Sequence, residues 1–529
     1  MSEHPFPFHS PAPRVRLVNA FARPYENAVA TARTCYSSRG IVLPEHVSTQ
    51  PELRDRVART IYEAGHHTTF QHAHVQFALE NVSRHFIWSF LHSHPFYNSE
   101  QVSQRYVRVT PDQVAVPPLR GQALEIYAQA VKQQTEAYYA LIEHLLPTVE
   151  RLYFERFPGR RPNSATGEAH PLARRWIPKK AQEVARYVLP VATFAYLYHT
   201  VSVLTLLRYY RLCQQYDVPT ETSFVVGQMV CAVLREDPLL EGILEEPLPI
   251  EETIEYRFWA SSQGLDRAVL SAEFRAEFDA SLEGHTSKLI SWLPDNEAVL
   301  AQAVREVLGL PRRALSDDEA IALVLDPRRN PYFGEALNVT TLSKLTRALV
   351  HPRYTFRKKL SHTADSQDQR HRMTPASRPA LTAYLTSEPD YITPALIREV
   401  PVAKALYEET MLRTWEAIDA LLSLGVAREY AAYLLPNAVS IRFTESADLL
   451  HLHHKLRMRL CYNAQEEIFN ASLDEARQIA AVNPRIGRHL GAPCALRHAA
   501  GVTPFCPEGD RYCGVPVWRL RLSEYERLL

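Results

Sequence analysis

The sequence predicts an α+β fold built twice, as two tandem copies of a helix-rich domain with a small sheet in each. Similar segments recur in the same order in the two halves. Long helical stretches dominate, and the alternating segments are too few for a doubly wound sheet.

The repeat rests on three pairs of segments. Residues 184–213 align without a gap on 430–459. This puts Leu189-Pro190 on Leu435-Pro436, Leu206 on Leu452 and Cys213 on Arg459. Arg16-Leu17-Val18, running on to Ala32-Arg33-Thr34, aligns with Lys288-Leu289-Ile290, running on to Val304-Arg305-Glu306. A looser pair sets Gln104-Arg105-Tyr106, ending in Thr110-Pro111, against Gln369-Arg370-His371, ending in Thr374-Pro375. The expected division is a first repeat over 1–250, a connecting segment over 251–285 and a second, more diverged repeat over 286–529. Acidic, Pro-containing punctuation (EEPLPIEETIEY) opens the connection, and a helix is expected near 268–282.

Within the first half, Val15–Val18 reads as a short apolar strand, with helices over Glu26–Ala32 and Pro51–Glu63. Ala73–Glu80 alternates, with Val75, Phe77 and Leu79 on one face, and reads as a strand. Ser83–Leu91 reads as an aromatic-rich helix and His92–Arg105 as a polar loop. Leu119–Phe157 is a long helical stretch, and Arg160–Glu168 a Pro/Gly/Ser-containing loop. Further helices are expected over Ala181–Leu189, Tyr196–Gln215 and Ser223–Leu234.

The 529 residues carry 59 Lys+Arg and 59 Asp+Glu, so no polyanion-coating protein is expected and no specific nucleic-acid partner. No apolar run is long enough to span a membrane, and the N-terminal residues show no signal-peptide pattern. Seven cysteines make a disulfide framework improbable, and the expected location is cytoplasmic. Three of the seven crowd the tail: Cys494, Cys506 and Cys513, with His498, form a candidate zinc quartet on ligand type. Its spacing departs from a CxxC knuckle, and ordinary thiols are the competing reading.

Four passages bear on chemistry. They are Ala32-Arg33-Thr34-Cys35-Tyr36-Ser37, Gly65-His66-His67-Thr68-Thr69-Phe70-Gln71-His72, Asn98–Tyr106 (NSEQVSQRY), and Ala185-Arg186-Tyr187-Val188-Leu189-Pro190. In this order they resemble the flavin-dependent thymidylate synthases, with their ARxCYS, GHxSxxEH, RHRxxSxNExSxRY and ARxVLP segments. The resemblance covers nearly all of 14–222 and, more weakly, most of 287–470. It implies methylation of dUMP at C5, with methylenetetrahydrofolate as one-carbon donor, FAD as hydride carrier and NADPH as reductant. The cofactor carries the hard chemistry, and the protein positions and polarises.

Carried over residue by residue, the resemblance implies Gln101, Ser103, Arg105 and Tyr106 for the nucleotide. It implies His66, His92, His94 and Asn98 for the cofactor. Both arginines of the signature Arg-His-Arg are absent from the first half, and histidine lacks their bidentate fork. The family's pyrimidine-facing arginine is Cys213 in the first half and Arg459 in the second, so Arg459 is the candidate catalytic residue. The second half retains Ala464-Gln465-Glu466-Glu467-Ile468. Its loop reads as worn, keeping Arg370, with His371 at the position of Tyr106. Arg357, Lys358 and Lys359 offer a basic patch upstream.

The family is homotetrameric with sites shared among subunits, so the resemblance implies a homodimer that works as a pseudo-tetramer. The rival expectations are a catalytically silent or repurposed nucleotide-binding scaffold, and C5 alkylation of a different pyrimidine nucleotide.

Overall fold

The computed structural model describes residues 5–93, 96–163, 166–215, 218–262, 267–335 and 343–527. His94, Ser164 and Ala165, included in the expectations above, lie outside the described residues. The chain forms two compact units, each with one four-stranded antiparallel sheet.

The first sheet has the order β1-β2-β4-β3, with β1 Arg14–Ala20, β2 His74–Ser83, β3 Tyr97–Gln101 and β4 Phe194–Ser202. The second repeats it as β5-β6-β8-β7, with β5 Ser287–Trp292, β6 Arg353–Ser361, β7 Ala376–Ser377 and β8 Ser440–Asp448. Even irregularities recur. The β1 register shifts between Leu17 and Asn19, and the β5 register shifts at the aligned Leu289 and Ser291. The strands alternate as a half-buried sheet must: Val75, Phe77 and Leu79 face the first core, and Tyr354, Phe356 and Leu360 the second.

Helices follow the central strands at equivalent points, each opened by a short polar side chain. Ser83 caps the helix Arg84–His92 and Ser361 the helix His362–Asp368. Ser202 caps the helix Val203–Arg211, and Asp448 caps its counterpart Leu449–Arg459. The helix Asn296–Leu308 ends on Gly309 at φ 65°, where a Cβ would be strained.

The compact units do not follow the chain in simple halves. The first comprises Met1–Thr135, Leu189–Arg267 and Arg413–Leu435. The second comprises Glu136–Val188, Ala268–Leu412 and Pro436–Leu529. Each unit thus includes a helical segment from the other repeat. Tyr433, of the second repeat, donates to the Glu221 carboxylate of the first unit at 2.9 Å. Glu221 also accepts from the Ser83 backbone N–H (2.7 Å) and hydroxyl (2.5 Å).

Burial pushes Glu221 up to about 7, against the three hydrogen bonds that favour its ionised form. A raised folded-state pKa contributes stability below the unfolded value of 4.5, lost as pH rises through 7. The amount is on the order of 3 kcal/mol for one such group. Glu221→Gln should therefore flatten this part of the stability profile between pH 4.5 and 7 in urea titrations. An unchanged slope would assign the profile to other groups.

Three expectations need correction. Tyr196–Gln215 is not one helix: β4 runs to Ser202 and the helix starts at Val203. Aromatic residues on the open face, Tyr196 and Tyr198, fill in the alternation and hide its period. The loop His92–Arg105 contains β3, which pairs with β4 from Tyr97↔Val201 to Gln101↔Leu197. The third repeat pair is set in the wrong register. Gln104–Tyr106 follow β3, whereas Gln369–His371 precede β7 and directly follow the capped helix His362–Asp368.

The two cores also differ. Beneath the first sheet His199, Tyr209 and Phe90 pack as rings, with Phe90–Tyr209 centroids 4.6 Å apart. The equivalent second-repeat positions are Glu445, Lys455 and Asp368, joined by Lys358 where the first repeat has Leu79, and by Glu475 where it has Met229. These five side chains are fully buried and ion-paired. The basic-patch reading of Arg357–Lys359 therefore fails. Lys358 points into the core, Lys359 pairs with Asp279 at 2.7 Å, and Arg357 lies over the Phe278 ring.

Candidate functional site

In the first unit, Gln101 ends β3 and the next turn carries Ser103, Arg105 and Tyr106. The Ser103 hydroxyl accepts from the Arg105 backbone N–H at 3.3 Å, and the Ser103 carbonyl accepts from the amides of Tyr106 and Val107. The Arg105 guanidinium lies 5.5 Å from the Tyr106 ring centroid, a cation–π contact that narrows its orientations. Arg84 braces the turn from the capped helix, donating to Gln101 Oε1 (2.9 Å) and to the Val102 carbonyl (2.7 Å).

A cleft of about 210 Å³ opens beside this turn, lined by Asn81, Arg84, Val102, Gln104, Arg108 and Tyr196. Asn81 stands at φ 56°, at the register shift of β2. The cleft is smaller than the roughly 300–1,000 Å³ of ordinary small-molecule pockets.

The other first-repeat candidates are more dispersed. Asn98 lies on β3 opposite Thr200, with an exposed side chain. His92 ends the helix Arg84–His92. His66 is exposed, between the helix Pro51–Glu63 and the turn His67–Gln71. Cys213, at the family's arginine position, is buried, and burial pushes its thiol up to about 11. It borders a wider cavity of about 930 Å³ with Tyr210, Phe224 and Gln228.

The second unit holds what the sequence reasoning missed. Ser83 and Ser361 cap equivalent helices, so counting from the caps sets His92-Ser93-His94 against Arg370-His371-Arg372. The second repeat therefore carries an Arg-His-Arg triplet where the signature of the resembled family begins. The string Arg370-His371-Arg372 is plain in the second half by itself, and setting Gln369-Arg370-His371 against Gln104-Arg105-Tyr106 hides it.

Arg459 stands beside the triplet. Its Nε donates to His371 Nε2 at 2.8 Å, and its Nη2 donates to the Gln367 carbonyl. A guanidinium cannot accept, so His371 is a neutral ring with its proton on Nδ1. Burial and then the Arg459 charge hold the His371 pKa well below the ordinary histidine value. Two guanidiniums flanking a neutral imidazole donor are a set suited to the phosphates of a dinucleotide cofactor. His92 and Ser93 are not.

The zinc quartet is not assembled. Among the described residues, no group of three or more His, Cys, Asp or Glu side chains is placed to hold a metal ion. The His498 ring packs edge-on to Phe505 at 4.6 Å, and the Cys513 thiol faces the Val515 carbonyl. Burial pushes Cys494 up to about 12, with Cys513 and Cys506 adding to the rise, and burial also raises Cys506 and Cys513. Among the described residues, no helix is long and apolar enough to cross a membrane.

The chain thus holds two copies of a strand–capped-helix–strand unit, one bearing a Ser-x-Arg-Tyr turn and the other an Arg-His-Arg triplet. The chain belongs to the thymidylate synthase complementing protein family, whose profile matches residues 16–239 and 288–485. A flavin-dependent thymidylate synthase from Geobacter sulfurreducens is 29% identical over 170 residues, 31% of this chain and 70% of its own. One from Sulfurisphaera tokodaii is 27% identical over 217 residues, 40% of this chain and 79% of its own. Among solved structures, the UMP/dUMP methylase PolB from Streptomyces cacaoi, bound with 5-Br dUMP, matches 44% of this chain and 95% of its own. Its identity is 16% and its TM-score 0.31.

Proposed function

We propose that the protein is a flavin-dependent methylase of dUMP, transferring a one-carbon unit from methylenetetrahydrofolate to C5 with NADPH as reductant. The observation that carries this reading is the complementary survival of the signature. Ser103, Arg105 and Tyr106 remain in the first repeat, and Arg370, His371, Arg372 and Arg459 in the second. Loss of function from both copies alike would leave no reason for such a division.

The residues then have distinct tasks. Ser103 donates its hydroxyl to the nucleotide phosphate, and Arg105 clamps it with two charge-assisted bonds. Arg84 holds Gln101 and the turn in place. Arg370, His371 and Arg372 would hold FAD, which when bound supplies the hydride. Arg459 faces the pyrimidine carbonyls, its orientation fixed by His371 and the Gln367 carbonyl.

The test is incubation with dUMP, methylenetetrahydrofolate, FAD and NADPH, followed by mass spectrometry of the nucleotides. The reading expects dTMP. Nucleotide binding without dTMP would favour the silent scaffold, and a product from another pyrimidine nucleotide would favour the altered substrate.

A second part of the proposal concerns assembly. Four copies of the fold in a two-fold homodimer would match the family's tetramer. Light scattering at micromolar concentration should give twice the 60.4 kDa chain mass. A persistent monomer would remove the shared-site arrangement.

A further inference from the structure

We propose that Tyr187 and Tyr433 are positioning residues, each contributed by one repeat and each fixing the capped helix that leads into the signature segment of the other repeat. The inference rests on the functional reading above for its consequence at the flavin, and on hydrogen bonds alone for its structural content.

The two tyrosines occupy aligned positions, and each is almost fully buried. In the second unit, Tyr187 donates to Glu467 Oε2 at 2.6 Å. The same carboxylate accepts from the Ser361 backbone N–H (2.5 Å) and hydroxyl (2.6 Å), and the Ser361 Oγ accepts from the Ala364 N–H to cap the helix His362–Asp368. Gln465 donates to the Tyr187 hydroxyl, and its Oε1 accepts from Gln367 at 2.6 Å. The Tyr187 hydroxyl therefore joins two holds on one helix, at its cap and in its last turn. Two residues beyond that helix begins Arg370-His371-Arg372.

In the first unit, Tyr433 makes the corresponding bond to Glu221, which grips the cap Ser83. The second hold is missing there: Pro219 and Ser89 stand at the positions of Gln465 and Gln367. The repeat that keeps the triplet is the one with the doubly held helix. A hydroxyl shared between a carboxylate and an amide in a dry site removes freedom from the helix start, and its loss leaves polar partners unsatisfied.

Fusing the two copies makes this exchange intramolecular, so each half depends on the other for the rigidity of its own site helix. Crossed effects follow. Removing a side chain near residue 187 should loosen residues near 362–372, and removing one near 433 should loosen residues near 84–93.

The experiment is hydrogen exchange with mass spectrometry on the full chain, comparing wild type, Tyr187→Phe and Tyr433→Phe. Tyr187→Phe should speed exchange over 362–372 by roughly tenfold and leave 84–93 as in wild type; Tyr433→Phe should do the reverse. Glu467→Gln provides a second route, expected to loosen 362–372 alone. FAD titration adds a readout that uniform destabilisation would not divide: affinity should fall roughly tenfold in Tyr187→Phe and stay unchanged in Tyr433→Phe. Unaltered exchange in both variants, or equal loosening of both helices by either, overturns the proposal. Wild type that binds no FAD but shows the crossed exchange pattern removes the flavin reading and leaves the interlock standing.

Discussion

Lys358→Leu should destabilise the second unit by about 3–5 kcal/mol, the usual cost of stripping one partner from a buried ion pair. Lys358 is fully buried and lies 2.6 Å from Glu475, 2.7 Å from Glu445 and 3.2 Å from Asp368. Burial by itself would lower its pKa, but the three carboxylates outweigh that and hold it well above the free value. Asp368 is desolvated as well, yet Lys358 and Lys455 keep it well below the ordinary carboxylate range.

Without Lys358, the three carboxylates would keep Lys455 as their ion-pair partner, with the Arg378 charge nearby. Burial and Asp368 already push Glu445 up to about 7, so the variant should be weakest above that pH, where its carboxylate must ionise. The first repeat supplies the rescue. Its Leu79 and Met229 stand where Lys358 and Glu475 do, so Lys358→Leu with Glu475→Met should recover at least half of the loss. Urea unfolding followed by exchange of β6 and β8 amides measures both variants. A single-variant cost under about 1 kcal/mol would mean that the network relaxes or hydrates.

Arg105→Ala should weaken dUMP binding at least roughly tenfold without changing the fold. Losing one partner of a desolvated charge pair costs about 2–5 kcal/mol. Arg105 has the fork that a phosphate calls for, oriented by Tyr106 and by a turn closed on Ser103. Arg459→Ala should weaken dUMP binding too, although Arg459 belongs to the other repeat. Lysine at 105 should restore only part of the affinity, because a point charge cannot make two parallel bonds. Calorimetry with dUMP reads all four proteins. Equal affinities would detach both arginines from the nucleotide.

Much of the fold was legible because it obeys local rules. Alternation in Val75–Leu79, the helix spacing of Pro51–Glu63 and the gap-free match of 184–213 on 430–459 all survive in the structure. The β4 strand was not legible, since Tyr196 and Tyr198 on its open face erase the apolar/polar contrast. The charged core was misread for a related reason. In RYTFRKKLS the inward positions are Tyr354, Phe356, Lys358 and Leu360, and a lysine in such a row looks like part of a surface patch. Its carboxylate partners come from Asp368, Glu445 and Glu475, far along the chain, and no local pattern announces them.

The Ser103–Tyr106 turn was readable from its motif. The Arg370–Arg372 triplet was equally plain as a string but was lost to a false register. Only the paired caps, Ser83 and Ser361, set that register right, because they fix where each helix leaves its sheet. The exchange of Tyr187 and Tyr433 between repeats was invisible in sequence, since it depends on which unit each segment joins.

Under the proposed function the signature is divided, with the flavin element in the second repeat and the nucleotide element in the first. FAD titration of wild type, Arg372→Ala and Arg105→Ala, followed by flavin fluorescence, tests it most directly. Wild type and Arg105→Ala should bind FAD alike, while Arg372→Ala should bind at least roughly tenfold more weakly. Equal FAD affinity in all three, or no FAD binding by wild type, would contradict it.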